Sequence, residues 1–295
     1  MKVAAVANPA SQSGRAAKII SLLQGEALGS DGLTTVLTEY AGHATDLTRE
    51  LATRGYQRVI AVGGDGTLNE VINGAAGTGI EVALIPTGTG NDWARTVGIP
   101  ADVTEATKIA LTGQARAVDL GTCEGKRHFI NIAGAGFDAE VARAIQGAGG
   151  LMASLPPTPR YISAVLKTFA RYKGANVKLR LDDKSVEIED LTLIAIANAK
   201  FYGSGMQIAP GASLDDGLFD VVWGSGVKKS ELPGLLKSVF KGDHVQHPKV
   251  EVRKASRVKI ESESSVPFHL DGDVAGELPA EFSIQPRALN FLFPA

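Results

Sequence analysis

Residues 62–77 read VGGDGTLNEVINGAAG and decide the fold of the first half of the chain. They continue a short, partly β-branched apolar run, residues 59–62, of the kind found in buried parallel strands. From Thr67 onward the apolar residues have helical spacing. The glycines on either side of Asp65 are therefore predicted to lie where a strand ends and a helix begins.

The same alternation of strand and helix extends over the first third of the chain. Strands are predicted over residues 2–8, 33–40, 58–64 and 81–88, and helices over residues 14–27, 43–55, 67–77 and 91–98. Strands separated by such helices imply right-handed crossovers and a doubly wound, mostly parallel sheet. Each strand ends in a polar or glycine-rich loop, and ligands of open α/β sheets bind at that carboxyl edge. One cleft is expected there.

From about residue 118 the chain is rich in strand patterns. These cover residues 118–125, 126–136, 176–198, 217–224, 253–264 and 282–294. Amphipathic helices are predicted over residues 158–173 and 231–243. We therefore predict an α/β domain over residues 1–120 and an antiparallel β-domain over residues 121–295, with the C-terminal segment free to return to the first domain.

Composition limits the class of protein. Lys and Arg number 30 and Asp and Glu 32, so no overall charge attracts nucleic acid, and no nucleic-acid partner is predicted. The single cysteine, Cys123, excludes an intrachain disulfide and is compatible with a reducing cytoplasm. No window approaches the roughly 18 uninterrupted apolar residues of a membrane-spanning helix. A cytoplasmic protein that meets a membrane only from the side is predicted.

The GGDGT loop, residues 63–67, has two interpretations. Consecutive glycines let backbone N–H groups approach a phosphate, and the following helix adds a positive dipole end. Asp65 would repel that phosphate unless a cation intervenes, so magnesium is expected nearby. A tight turn with an aspartate cap explains the same residues. A second glycine-rich loop with one acid, PTGTGND at residues 86–92, favours the phosphate site because it follows the neighbouring strand.

GGDGTLNEVING (residues 63–74) and PTGTGNDWAR (residues 86–95) resemble the diacylglycerol kinase catalytic domain, in particular its soluble bacterial lipid kinase branch. The resemblance continues through residues 118–121, 130–141, 196–222 and 270–279. It implies a nucleotide domain like that of NAD kinase and phosphofructokinase, an antiparallel β-sandwich domain, and an active-site cleft between them. It also implies transfer of the γ-phosphate of ATP, with Mg²⁺, to a hydroxyl of diacylglycerol or a related lipid.

The resemblance also assigns roles to single positions. ATP contacts are implied for Asn8, Pro9, Ser11, Ser13, Gly14, Thr38, Gly64, Asp65, Gly66, Thr67, Leu68, Asn69, Glu70 and Thr89. A catalytic magnesium network is implied for Asp65, Asp92 and Asp119. A structural magnesium site is implied for the side chain of Asp216 and the backbone carbonyls of Ser213 and Leu218. Taken singly, Asp92 is equally typical of a helix cap and Asp119 of a turn. For Asp216 the sequence alone favours an ordinary Asp-Gly turn at the start of a strand.

The resemblance places the catalytic base in LDGDVAGELP, residues 270–279, where the family usually has Asp-Gly-Glu. This chain has Asp271, Gly272 and Asp273, so both carboxylates are candidates, with Asp273 in the place of the usual glutamate. A base must reach the substrate hydroxyl within about 2.6–3.2 Å or through one water. Replacing either aspartate by asparagine is expected to reduce turnover severely without loss of ATP binding.

Two other functions fit parts of the sequence. NAD kinases share a similar GGDGT loop, so a kinase of soluble metabolites is one alternative. The aspartate at position 273 leaves a catalytically weak lipid- or nucleotide-binding regulator as the other. GAGFDA, residues 134–139, matches a dinucleotide-binding fingerprint but lacks its context and predicts close backbone packing near the cleft.

A lipid substrate implies peripheral contact with the inner face of the membrane. The predicted helix at residues 158–173 combines Lys167, Arg171 and Lys173 with the apolar residues Tyr161, Ile162, Val165, Leu166 and Phe169. Such a helix can lie on an anionic interface, but more often it packs its apolar face on its own domain. A homodimer is also compatible with the sequence.

Overall fold

The computed structural model describes residues 1–9, 19, 33–147 and 157–295, with side chains of the last range from residue 163. In its first part lie strands β1 (Val3–Ala7), β2 (Leu33–Leu37), β3 (Arg58–Gly63) and β4 (Glu81–Pro86), and helices α1 (His43–Thr53), α2 (Asp65–Ala75), α3 (Asp92–Val97) and α4 (Val103–Thr112). The strands pair in parallel in the order β4-β3-β1-β2. Every residue of β3 is buried, as in a strand covered on both faces.

Two differences from the sequence predictions concern helices of this part. The helix predicted over residues 14–27 lies outside the described residues apart from Ile19. Helix α4 was not predicted, because its buried face consists of the small residues Ala106, Thr107 and Ala110, which give a weak apolar pattern. The side chain of Asp102 begins this helix by accepting the N–H of Glu105 at 2.9 Å.

The second part of the chain is mainly antiparallel. Its elements are β5 (Gln114–Cys123), β6 (Arg127–Phe129), β7 (Ile132–Gly136), α5 (Phe137–Gln146), α6 (Pro157–Arg171), β8 (Ala175–Leu181), β9 (Lys184–Ala197), β10 (Phe219–Ser225), α7 (Leu232–Val239), β11 (Val250–Ala255), β12 (Arg257–Ser262), β13 (Pro267–Leu270), β14 (Asp273–Glu277) and β15 (Ala280–Phe293). Strands of this part enclose a separate apolar core that includes Phe129, Phe219 and Phe282. The predicted fold class, a parallel α/β domain with an antiparallel β-sandwich domain, is confirmed.

Strand β15 belongs to both parts. Its first half pairs with β12, where Ser283 faces Arg257, and its second half runs parallel to β4, where Phe291 faces Val82. The sheet therefore continues from one part into the other through a single strand. The boundary at residue 120 stays a prediction.

The predicted strand over residues 126–136 is interrupted. Residues 130 and 131 separate β6 from β7, and helix α5 follows β7 directly. The interruption matters for the site, because the N–H groups of Ile130, Asn131 and Ile132 point to one carboxylate instead of to a neighbouring strand. Within the described residues no helix is both long and apolar enough to cross a membrane.

Candidate active site

The two glycine-rich loops meet at the carboxyl edge of the parallel sheet. The N–H of Thr87 donates to the carbonyl of Gly63 at 2.8 Å. A Cβ on Gly88 would lie 2.5 Å from Cα of Gly64, closer than real Cβ atoms approach another backbone. Both loops therefore need glycine at their contact, and the convergence expected from the sequence is present.

Asp65, the first residue of α2, joins these loops through its side chain. Its carboxylate accepts the N–H groups of Asp92 and Trp93, each at 3.2 Å. These two donors belong to the first turn of α3, so Asp65 satisfies N–H groups that lack partners inside that helix. A capping role and a position in the cleft are thus combined in one residue.

Asp92 connects the α/β part to the loop that follows β9. Its buried carboxylate accepts the N–H of Ser204 at 2.9 Å and that of Gly205 at 2.7 Å. Burial and the nearby charge of Asp65 raise the pKa of Asp92 to about 6, even though these two hydrogen bonds oppose the rise. The site therefore holds two carboxylates that repel each other.

Asp65 and Asp92 fit a magnesium ion by their chemistry. A Cβ on Gly90 would lie 3.1 Å from Oδ2 of Asp65 and 3.4 Å from Oδ2 of Asp92, so both oxygens border the same small space. Mg²⁺ prefers such hard oxygen ligands and keeps several waters, and its charge would relieve their repulsion. In the described ranges no group of three or more His, Cys, Asp or Glu side chains is arranged to hold a metal. Any ion here would need water and phosphate oxygens as further ligands.

Asp119, the third member of the predicted network, lies apart from this pair. It is fully buried, and its two oxygens accept the N–H groups of Gly217 and Arg287, each at 2.7 Å. It does not line the cavity that contains Asp65 and Asp92. The structure therefore gives Asp119 a role in joining the 213–218 loop to β15, and its part in a magnesium network stays a prediction.

A lysine contacts the loop in which a structural magnesium site is predicted. Oδ2 of Asp216 accepts the ammonium group of Lys254 at 2.9 Å, and the same group donates to Asp220 at 2.8 Å. Oδ1 of Asp216 accepts the N–H of Leu218 at 3.1 Å. Lys254 thus supplies the positive charge beside Asp216 in this arrangement, and a magnesium ion held by Asp216 and the backbone carbonyls of Ser213 and Leu218 stays a prediction.

The predicted ATP-contacting residues lie along the same sheet edge, with different side-chain environments. Asn8 and Pro9 follow β1, Thr38 follows β2, and Thr89 is exposed in the loop after β4. Ser11, Ser13 and Gly14 lie outside the described residues.

Within the 64–70 segment, Gly64 and Gly66 lie in the GGDGT loop, whereas the side chains of Thr67 and Leu68 are buried. The carboxylate of Glu70 accepts the N–H groups of Gly42 and Ala44, at 2.9 and 3.1 Å, and so caps α1. Any contact of Glu70 with ATP therefore stays a prediction.

Asp271 is held in the cleft by four donors. Its Oδ1 accepts the N–H groups of Asn131 and Ile132, each at 2.9 Å, and its Oδ2 accepts the N–H of Ile130 at 3.0 Å. The fourth donor is the amide of Asn69 at 2.8 Å. Burial raises the pKa of Asp271, and these hydrogen bonds oppose that rise.

Asp273 is placed differently. Its side chain is 62% exposed and forms an ion pair with Arg127 at 3.0 Å. Asp271 lines a cavity of about 190 Å³ together with Asp65 and Asp92, whereas Asp273 does not. Of the two candidate bases, only Asp271 therefore faces the space in which the other acids lie.

Sequence reasoning missed two residues beside Asp271. His269 is buried, with Nδ1 accepting the N–H of Gly272 at 3.2 Å and Nε2 lying 3.3 Å from Oδ2 of Asp138. A Cβ on Gly134 would overlap both partners of this last contact, so the glycine is required for it. The GAGFDA segment contains Gly134 and Asp138, and its predicted close packing near the cleft was the only indication in the sequence analysis that these residues belong to the site.

Comparison with known proteins assigns the family. Residues 2–123 match the diacylglycerol kinase catalytic domain, and residues 131–293 match the YegS C-terminal NAD kinase beta sandwich-like domain. A diacylglycerol kinase of Mycobacterium tuberculosis is 32% identical over 303 residues, which cover 99% of this chain and 95% of that protein. The chain belongs to the diacylglycerol kinase family. A diacylglycerol kinase of Bacillus subtilis is 33% identical, with 88% of this chain and 86% of that protein covered.

Solved structures agree with this membership of the diacylglycerol kinase family. A crystal structure of a Bacillus anthracis protein provisionally named diacylglycerol kinase has a TM-score of 0.82 and 25% identity, covering 99% of this chain and 95% of that one. An NAD kinase of Archaeoglobus fulgidus, solved with ATP, has a TM-score of 0.51 and 14% identity, covering 99% and 93%, and so shows likeness of fold alone. The predictions of family and of a kinase enzyme are confirmed.

Proposed function

We propose that this member of the diacylglycerol kinase family transfers the γ-phosphate of ATP to a hydroxyl of diacylglycerol or a related lipid, with Asp271 as the general base. The names of its relatives support a lipid kinase. The observation that carries the proposal is an apolar cavity that adjoins the cavity of Asp271. The two cavities share Asp138, Val141 and Tyr202 as lining residues.

The apolar cavity is suited to part of an acyl chain. It has a volume of about 90 Å³ and is lined mainly by aliphatic and aromatic side chains from α5, α6, α7, β9 and β10. Leu232, Leu235 and Leu236 of α7 form one wall, and none of the residues of α7 is fully buried. A soluble metabolite such as NAD would gain little from such a space, because apolar walls offer it few hydrogen bonds.

The polar cavity supplies what phosphoryl transfer requires. Asp271 would take the proton of a lipid hydroxyl, and its four donors fix its position. Because these donors fill about four acceptor positions of the carboxylate, the lipid hydroxyl must displace one of them or share an oxygen with it. The N–H groups of the two glycine-rich loops lie at the sheet edge where the phosphates of ATP would bind. Mg²⁺ held near Asp65 and Asp92 would neutralise charge on those phosphates. The departure at position 273 lies outside this cavity, so it gives no reason to infer a weak enzyme.

Contact with an anionic membrane is part of the proposal. Helices α6 and α7 line the apolar cavity. The ammonium of Lys229, in the segment before α7, donates to the carbonyl of Ala170 in α6 at 2.6 Å. Leu166 of α6 and Phe240, directly after α7, are 52% and 50% exposed. The same two helices and the residues next to them carry exposed cations: Lys167, Arg171, Lys173, Lys228, Lys237 and Lys241. Apolar residues among cations are typical of interfacial helices. Tyr161 and Ile162 lie outside the residues whose side chains are described.

The test is magnesium-dependent transfer of labelled γ-phosphate from ATP to lipids in mixed micelles. Diacylglycerol, phosphatidylglycerol, monoacylglycerol, ceramide and sphingosine would be offered separately, with NAD in buffer as the control. Label in one of the lipids, lost in the Asp271→Asn protein, is the expected result. Label in NAD and in none of the lipids would overturn the proposal.

A further inference from the structure

Asp138 stands at the boundary between the two cavities. It is the second residue of α5, its side chain is 8% exposed, and it lines both cavities together with Val141 and Tyr202. A lipid whose chain occupies the apolar cavity and whose hydroxyl reaches Asp271 must pass this carboxylate. The other carboxylates that line the polar cavity, those of Asp65, Asp92 and Asp271, do not line the apolar one.

The hydrogen bonds of His269 orient its ring toward Asp138. Nδ1 of His269 accepts the N–H of Gly272 at 3.2 Å, which leaves Nε2 to donate to Oδ2 of Asp138 at 3.3 Å. Oδ1 of Asp138 accepts the N–H of Ala139 at 2.8 Å. In the described ranges, the ion pairs formed by lysine or arginine do not include Asp138.

A buried carboxylate with this environment still needs donors. An ionised carboxylate has about four acceptor positions, of which two are used here. Burying a charge without a compensating cation or a full set of hydrogen bonds is unfavourable. Since an ionised carboxylate cannot donate, the group that completes its hydrogen bonds must be a donor.

We infer that Asp138 binds a hydrogen-bond donor of the lipid headgroup close to the reacting hydroxyl, and so selects lipids that carry one. The donor is a second hydroxyl, as in a monoacylglycerol, or an ammonium group, as in a sphingoid base. A lipid with an ester at that position presents only acceptors and is bound less well. This inference rests on the proposed function and narrows its substrate class.

The experiment compares two lipids that differ only in this donor. One is a 1-monoacylglycerol and the other is the same lipid with its 2-hydroxyl methylated, both in mixed micelles with ATP and Mg²⁺. Because a hydrogen bond to a charged group is typically worth 1.5–3 kcal/mol, we expect kcat/KM of wild type to favour the alcohol by about 10-fold or more. In Asp138→Asn that ratio should fall to about 2 or less, because the amide can use its one oxygen for His269.

Val141→Ala is the matched control, since Val141 lines the same boundary without a polar group. It should change kcat/KM for both lipids by the same factor and keep their ratio. Sphingosine distinguishes an ammonium donor from a hydroxyl donor. If Asp138→Asn lowers kcat/KM more for sphingosine than for the monoacylglycerol, the group bound by Asp138 is an ammonium, and the opposite order supports a hydroxyl.

Two results would overturn the inference. The first is an equal kcat/KM of wild type for the alcohol and the ether. The second is a ratio of these two kcat/KM values that is unchanged in Asp138→Asn, as expected if Asp138 only holds His269 in place. If wild type labels none of the lipids, the proposed function fails separately. The Kd values of the alcohol and the ether, measured by calorimetry on wild type, then decide the inference. Equal values contradict it, and tighter binding of the alcohol supports it.

Discussion

The side-chain amide of Asn69 donates a hydrogen bond to Oδ2 of Asp271 at 2.8 Å, across 202 positions of the sequence. Asn69 lies in the first turns of α2, directly after the GGDGT loop, and Asp271 lies in the turn between β13 and β14. One contact thus fixes the distance between the loop expected to bind phosphate and the candidate base.

Loss of this contact should change both rate and pH dependence. In Asn69→Ala we expect kcat to fall about 10-fold, since a hydrogen bond to a charged group is typically worth 1.5–3 kcal/mol. The donor favours the ionised form of Asp271, whose pKa is already raised by burial. Removing it raises that pKa further, so the acid limb of the kcat–pH profile should move to higher pH. Asn176→Ala, which loses a contact to the N–H of Asp190 on β9 and none to Asn69 or Asp271, is the control and should leave that limb in place.

The Asp65–Asp92 pair predicts a pH dependence of stability. The folded pKa of Asp92 is about 6, above its ordinary value of 3.8, so its contribution to stability is complete below 3.8 and is lost as pH rises through 6. With chelator present, the free energy of unfolding of wild type minus that of Asp92→Asn should decrease by roughly 3 kcal/mol at most between pH 4 and pH 7. Urea titrations of both proteins at several pH values measure this difference. An increase of the difference with pH would contradict a raised pKa of Asp92.

Filling the apolar cavity should affect long lipids selectively. Val165 lines that cavity and is buried, so Val165→Phe places extra volume where an acyl chain would lie. We expect kcat/KM to fall about 10-fold for a long-chain lipid, because several methylenes lose their site. Activity on a short-chain analogue should change little. Val252→Phe, at a half-exposed position of β11, is the control, and an equal loss on both lipids in Val165→Phe would count against an acyl site.

Charge reversal tests the membrane face. Changing Lys167, Arg171 and Lys173 to glutamate should weaken binding to vesicles of anionic phospholipid by about 100-fold or more, since each cation near the surface is worth about 1 kcal/mol. Co-sedimentation at low salt measures the change. The matched control changes Lys178, Arg180 and Lys184, on the β8–β9 hairpin, to glutamate. Equal losses in the two triple variants would show that net charge alone is responsible.

The sequence predicted the parallel sheet and its two converging loops because these depend on local patterns. An apolar strand followed by glycines and a helix is visible within about 15 residues, and parallel strands bring their carboxyl ends to one edge. It could not predict the partners of Asp119, since Gly217 and Arg287 are distant in sequence. The contact of Lys254 with Asp216 could not be predicted for the same reason, because Lys254 reaches this loop only through the pairing of β11 with β10.

The choice between Asp271 and Asp273 also required the three-dimensional structure. The two aspartates are separated by one glycine, and the pattern did not reveal which of them faces the cleft. The turn at Asp271 and Gly272, with φ of 50° and 91°, points the first carboxylate at the interruption between β6 and β7. Asp273 then begins an exposed strand.

The role of Asp271 as the base is tested most sharply by comparing Asp271→Asn with Asp273→Asn. Turnover would be measured by transfer of labelled phosphate to the best lipid substrate, and ATP binding by calorimetry on the same preparations. We predict a loss of about 10²-fold or more in kcat for Asp271→Asn with ATP affinity retained, and kcat close to wild type for Asp273→Asn. Near wild-type turnover in Asp271→Asn would contradict the assignment of the base, and so would a severe loss confined to Asp273→Asn.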